Sequence, residues 1–430
     1  MGQTSRRWRG LALAVGVAAC AAAVSSCSSG SGGGASTSPT AAVGSGSSVA
    51  AGTGPAWGGQ AATGPAVKIM VIGTRDNPGV TQPELFEAAQ AETDAVNASG
   101  GVNGHKLVLL QCDENLNPNL EESCVDEAVS DKVSAVVGSA MLFDQLGPLA
   151  SAHIPLLYNV GLTPALFTNP ISYPTAGIVG WFAGEAMMAA KDGVKTVEFG
   201  EVNQASSADA CAIAKTVLTN EGIKVLGAVT SNLVSTDRTA DAAALTQGNP
   251  GGILLCGNDV YNVPMIKALR QGGYQGYIYS EGSGVLPAEA ESLGSLGNGV
   301  RIANDSWPPS DTSAPIVAAM VSSIDKYAPG TELDETSAVG WSGVYLFAHV
   351  MAKATSFSGQ DVINALNAVK TPIQGGVFGP FEGSGTPPFS QYPRLFNVSF
   401  LPAELENGKL VATGGYIAVP ASLLKPAANP

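Results

Sequence analysis

VKIMVIG, Val67 to Gly73, is an apolar run of strand length, and ELFEAAQAETDAVNA, Glu84 to Ala98, follows it with apolar residues at helical spacing. A run that is apolar at nearly every position, and not at every second one, predicts a strand covered on both faces, as in parallel sheets. The pattern then repeats. KLVLLQC, Lys106 to Cys112, predicts the next strand, NLEESCVDEAVSDK a helix, and SAVVGSA, Ser134 to Ala140, the third strand. Strands alternating with helices imply βαβ units with right-handed crossovers, and hence a doubly wound α/β sheet.

Outward from this core the alternation continues. After LFDQLGPLASAHI comes PLLYNVG, then TVEFGEV, SSADACAIAKTVLTNEG, KVLGAVT, RTADAAALTQG, GGILLCGN, VPMIKALRQGGY and GYIYSEG. So many strands overfill one ordinary sheet, which predicts two Rossmann-like lobes. Proline and glycine clusters at ISYPTAG, NDSWPPSD and TPIQGGVFGP mark three places for the chain to cross between lobes, making a hinge. Between the second and third lie three helical patterns, SAPIVAAMVSSIDKYA, SAVGWSGVYLFAHVMAKA and GQDVINALNAVK, and RLFNVSF to LVATGGYIAV reads as a terminal hairpin. The expected division is residues 66–173 with 308–376 for lobe 1, and 174–307 with 377–425 for lobe 2.

With 45% hydrophobic and 13% charged residues over 430 positions, the chain has the composition of a folded protein. Its net charge of −14 and the absence of Lys/Arg clusters after the N-terminus argue against nucleic acid as a partner. MGQTSRRWRG followed by LALAVGVAACAAAV has the charge and length of a signal peptide. VSSC, Val24 to Cys27, resembles a bacterial lipobox, although Val24 stands where Leu is usual; the resemblance implies that residues 1–27 are a lipoprotein signal and that Cys27 is lipidated, with plain secretion as the alternative. Residues 28–65, rich in Gly, Ser and Ala, read as a flexible tether. Cys112, Cys124, Cys211 and Cys256 then remain, an even number suited to an oxidising compartment. With three histidines and no C-x-x-C, no structural zinc is expected, nor any cofactor.

Three passages carry a family resemblance. SGGVNGHKLVLLQCDENLNPNLEESC with DKVSAVVGS resembles the first lobe of periplasmic solute-binding proteins of the leucine/isoleucine/valine type. ALRQGGYQGYIYSEGSG resembles the second-lobe stretch that ends in their ligand-contacting Glu, and GGVFGPFEGSG their last hinge crossing. The resemblance spans Val67 to Val419 and implies a type I periplasmic-binding (Venus-flytrap) fold. It also implies a monomer on the outer face of the plasma membrane that closes over a small amino acid, amide or related molecule and passes it to the permease of an ABC importer.

Open α/β sheets bind ligands at the carboxyl ends of their strands. Ser139 and Ala140 after the third strand, and Gly161 and Thr163 after PLLYNV, occupy such ends, where relatives hold a carboxylate; a helix cap is the plainer role for Ser139. Glu281 falls where relatives hold the ligand's ammonium, with a solvated turn carboxylate as the alternative. The family's second acid would fall at or next to Val179, and its stacking tyrosine near Ala205 or Ser206; neither is present, which leaves room for a ligand other than a standard amino acid. Trp181 could line the cleft or pack a helix face, and Asp259 and Tyr261 sit at another strand end. The resemblance places a disulfide between Cys112 and Cys124. Cys211 and Cys256, in one lobe, could pair or remain buried thiols.

An enzyme is the weaker reading. GWSGV and SEGSG miss the nucleophile-elbow spacing, GGVNGHK precedes a strand and lacks the phosphate-loop ending, and His105 and His349 have no evident acid/base partner. A secreted hydrolase is therefore not expected. A tethered ligand-sensing receptor of the same fold is the closer alternative to an importer component.

Overall fold

The computed structural model describes residues 61–77, 81–233 and 235–425. The signal segment, Cys27 and the tether as far as Gln60 lie outside the described residues. No helix among the described residues is long and apolar enough to cross a membrane.

Lobe 1 opens with β1 (Gly64–Gly73), α1 (Pro83–Ala98), β2 (His105–Asp113), α2 (Pro118–Ser130), β3 (Val136–Val137), α3 (Gly147–Ser151), β4 (Leu156–Leu157), α4 (Pro164–Thr168) and β5 (Ser172–Tyr173). These strands make a parallel sheet in the order β2-β1-β3-β4-β5. One face packs α1 through Leu85, Phe86 and Ala89, and the other packs α2 and α3 through Val125 and Leu149. β1 reads as a continuous apolar run because Ile69 to Ile72 are covered from both sides.

The chain then crosses into lobe 2, with α5 (Gly177–Lys191), β6 (Thr196–Val202), α6 (Ala205–Asn220), β7 (Lys224–Ser231), α7 (Thr239–Thr246), β8 (Gly252–Cys256), α8 (Asp259–Gln271), β9 (Tyr277–Glu281), α9 (Pro287–Leu293) and β10 (Arg301–Asn304). It returns to lobe 1 for α10 (Pro315–Tyr327), α11 (Glu335–Val350) and α12 (Gly359–Asn367), and crosses a third time to end in β11 (Ser399–Glu406), β12 (Lys409–Ala412) and β13 (Ile417–Ala418). The second sheet runs β12-β11-β10-β9-β8-β6-β7, with β13 beside β11. Its five parallel strands repeat the order of lobe 1, with β6 in the place of β1. β11 and β12 form the C-terminal hairpin, and β11 lies antiparallel on β10.

The three crossings fall in the three Pro/Gly clusters. At the first, Gly177 adopts φ +48°, and a side chain there would collide with the Gly161 carbonyl, whose oxygen accepts the Ile178 N–H. The second and third brace each other, since Trp307 N donates to Val377 O at 2.8 Å and the Tyr416 hydroxyl donates to Val377 O at 2.6 Å.

Cys112–Cys124 joins β2 to α2, and Cys211–Cys256 joins α6 to β8. The second pair thus exists as a disulfide and not as two thiols.

Candidate functional site

In an open sheet of this strand order the crevice opens where the connections diverge to opposite faces: between β1 and β3 in lobe 1, and between β6 and β8 in lobe 2. The lobe 2 crevice is open. A cavity of ≈ 190 Å³ lies there, lined by Val202, Gln204, Gly257 and Asn258 from the ends of β6 and β8, by Glu281 and Ser283 after β9, and by Ile178, Trp181 and Phe182 from α5. Of the expected residues, Trp181 and Glu281 are brought together here.

Glu281 is 3% exposed, and its carboxylate accepts the Ser283 N–H at 2.6 Å and the Ser283 hydroxyl. Burial pushes its pKa up to about 8 against those two hydrogen bonds, and the charges of Asp305 and Asp259 push the same way. Trp181 is 4% exposed and its Nε1–H is unpartnered. An indole that is buried without a partner is unusual.

The lobe 1 crevice is filled from within. Ser139 is fully buried, its Oγ accepting from Ile72 N at 3.0 Å and donating to Val137 O, while Ala140 N donates to Ile72 O. The loop that follows is held by Glu121 of α2, whose carboxylate accepts the N–H groups of Leu142, Phe143 and Gln145 at 3.0 Å each. Met141 N donates to the Asn159 side chain and Gly161 N to Thr175 Oγ1. The Thr163 hydroxyl donates to Asp144. The donors expected to meet a ligand's carboxylate thus already serve this chain's own oxygens.

Two other expected residues are placed differently. Tyr261 is fully buried in the lobe 2 core with the Arg238 guanidinium 4.8 Å from its ring, because α8 turns it inward beneath α7 and not toward the cavity. Asp259, the first residue of α8, lies half-buried at the rim. Val179 is buried on α5, and the side chains of Ala205 and Ser206 are outside the described ones.

The structure also adds three acids that the sequence reading did not single out. Asp305 follows β10, is 3% exposed and has no partner for either oxygen; Glu335 opens α11 with both oxygens equally unpartnered. Glu185 of α5 lies fully buried behind Glu281, its pKa driven well above the ordinary carboxylate range by burial first and by the Glu281 charge second. An Asp directly after a short apolar strand, RIAND, was the available signal for Asp305.

Residues 66–389 match the family described as periplasmic binding protein. Among solved structures the chain is similar to an extracellular ligand-binding receptor from Verminephrobacter eiseniae, with TM-score 0.67, 17% identity, and coverage of 80% of this chain and 99% of that one. It is also similar to a leucine-binding protein from Thermotoga maritima (TM-score 0.63, 18% identity, 82% and 99% covered). A third likeness is to a solute-binding protein of an ABC transporter from Rhodopseudomonas palustris, in complex with 3,4-dihydroxybenzoic acid (TM-score 0.66, 17% identity, 84% and 99% covered). Among curated proteins none matches. Two lobes of one topology, three braced crossings, a cavity at the strand ends and a family match over most of its length agree: this chain belongs to the periplasmic binding protein family.

Proposed function

We propose that the chain is a lipid-anchored, extracytoplasmic solute-binding protein that captures a small polar molecule between its lobes and delivers it to the permease of an ABC importer. The observation that carries this reading is the lobe 2 cavity beside the crossings, where Glu281 and Trp181 meet and Trp181 Nε1 is buried without a hydrogen-bond partner. Buried polar groups left unpaired are costly unless something supplies the partner, and a ligand held at closure does so. The proteins of similar fold support the importer role, since one is a leucine-binding protein and another is the solute-binding component of an ABC transporter. On this reading the protein works as a monomer, Cys27 carries the lipid, and no chemical step is catalysed.

Two measurements test it. A thermal-shift screen of amino acids, amides, ureas and small acids should yield at least one compound that raises the melting temperature and binds with one-to-one stoichiometry by calorimetry; binding of none would sink the capture role. Cys27→Ala should release the protein from membranes, and lipid should be found by mass spectrometry on the unmutated form alone. Retention of the variant would sink the anchor.

A further inference from the structure

Among the cavities formed by the described residues, one is lined by two arginines and by no acid, in a chain that carries 35 acidic and 21 basic residues. It measures ≈ 580 Å³ and is bounded by Arg270 at the end of α8, Tyr277 at the start of β9, Ser295, Leu296 and Asn298 between α9 and β10, and Arg301 at the start of β10. β9 and β10 run parallel and begin here, so the cavity lies at the opposite end of lobe 2 from Trp181 and Glu281.

Arg270 is half-buried and has no counter-ion. It joins none of the ion pairs found among the described residues, and its Nη1 donates to the carbonyl oxygens of Tyr274 and Gly276 at 2.8 and 3.0 Å. Burial lowers its pKa, and the one group acting against burial is Tyr274. A partly buried charge without an opposite one is disfavoured, and such arrangements concentrate at functional sites. Arg301 is placed differently, since its Nε donates to Asp192 at 3.4 Å and its Nη1 to Glu404, which leaves Nη2. Asn298 commits its Oδ1 to the Asn407 N–H at 2.7 Å, so its amide donors are left over. Ser295, exposed on the same wall, adds a hydroxyl.

Donors thus approach from a helix end, a turn and a strand start. A planar carboxylate is matched by one guanidinium fork, whereas an anion with oxygens on several sides takes donors from several directions. The volume falls within the range of pockets that hold organic ligands. Tyr277, 36% exposed, and Leu296 offer an apolar surface for the body of such a ligand. We propose that this cavity seats a phosphate group carried on an organic body, either a soluble phosphate ester or the phosphodiester head of an anionic lipid, with Arg270 as its principal cation. The site goes beyond the proposed function and does not depend on it.

The test uses the folded Cys27→Ala protein, in which no lipid anchor can contribute. Calorimetry compares glycerol 3-phosphate with glycerol, and flotation compares vesicles of phosphatidylglycerol with vesicles of phosphatidylcholine. Glycerol 3-phosphate should bind roughly tenfold or more tightly than glycerol, or the phosphatidylglycerol vesicles should carry roughly tenfold or more protein than the phosphatidylcholine ones. The first result identifies a soluble ester as the occupant and the second a lipid head. Binding should weaken with added salt and fall by roughly tenfold or more in Arg270→Gln and in Asn298→Asp. Asn298→Asp keeps the acceptor for the Asn407 N–H while placing a negative charge in the cavity, so it decides alone if Arg270→Gln is unfolded by circular dichroism. Absence of binding in both assays, or binding that both variants leave unchanged, would overturn the site.

Discussion

Glu121 accepts the N–H of Leu142 at 3.0 Å, so the carboxylate of one helix fills the crevice loop that a ligand's carboxylate was expected to reach. The same carboxylate serves Phe143 and Gln145, and Glu121 is fully buried. Its removal strands three backbone donors, each costing about 1 to 3 kcal/mol when left unsatisfied. Glu121→Ala should therefore destabilise the protein by about 3 kcal/mol or more, which a urea titration will read. A change within about 0.5 kcal/mol would mean that water replaces the carboxylate at the loop.

Glu281→Gln is expected to leave the empty protein at least as stable as the parent. Burial already holds the native pKa near 8, so the carboxyl gains nothing from ionising in the empty cavity. If the residue faces a donor on the ligand, truncation in the closed state costs about 2 to 5 kcal/mol of binding. Calorimetry with any ligand from the screen should show affinity reduced by roughly tenfold or more. Unchanged affinity would return Glu281 to a turn carboxylate held by Ser283.

Stability should be highest on the acid side of neutrality. Burial raises Glu92, Glu114 and Glu281 to about 8 and Glu84 to about 7, against unfolded values near about 4.3. Between these limits the native state binds more protons than the unfolded one. The stabilising contribution is complete below the unfolded pKa and is lost as pH rises through the folded pKa values. Unfolding free energy should then fall steadily between about pH 5 and 8.5. A urea series in which stability is flat or rises over that window would contradict the raised values.

The two disulfides should differ in worth. Cys112–Cys124 closes a sequence separation of 12 and Cys211–Cys256 one of 45, so the chain-entropy model assigns about 3 and about 4 kcal/mol. Replacing each pair by serine and measuring unfolding midpoints tests the order. Loss of the second pair should also loosen α6 against β8 at the cavity, seen as faster amide exchange near Gly257.

What the sequence revealed and what it hid divide along physical lines. VKIMVIG and KLVLLQC were legible as strands because their apolar runs are long, and the Pro/Gly clusters were legible as crossings because those residues punctuate locally. β10 went unread: RIAN is four residues long, and its place between β9 and β11 depends on partners distant in sequence. Glu335 was hidden because the apolar helical pattern begins at Ser337, while the Asp334–Ser337 capping box starts α11 two residues earlier. Glu121 looked like one of two adjacent helix acids; its partners lie 21 to 24 positions onward, and no local pattern announces them. Tyr261 shares a strand end with Asp259, but its position on α8 sends the ring into the core.

The pairing of β11 on β10 has a consequence for how the chain acquires its structure. The five parallel strands of lobe 2 are complete at Asn304, yet the edge of β10 stays open until Ser399 to Glu406 return to cover it. Lobe 1 must likewise wait for α10 and α11 to cover the face of its sheet. Neither half can finish its core from a contiguous piece of chain, so assembly is dominated by contacts distant in sequence and should be slow. An exposed strand edge that persists through that interval is a site for mispairing, and truncation anywhere before Ser399 should yield an aggregating product instead of one intact lobe.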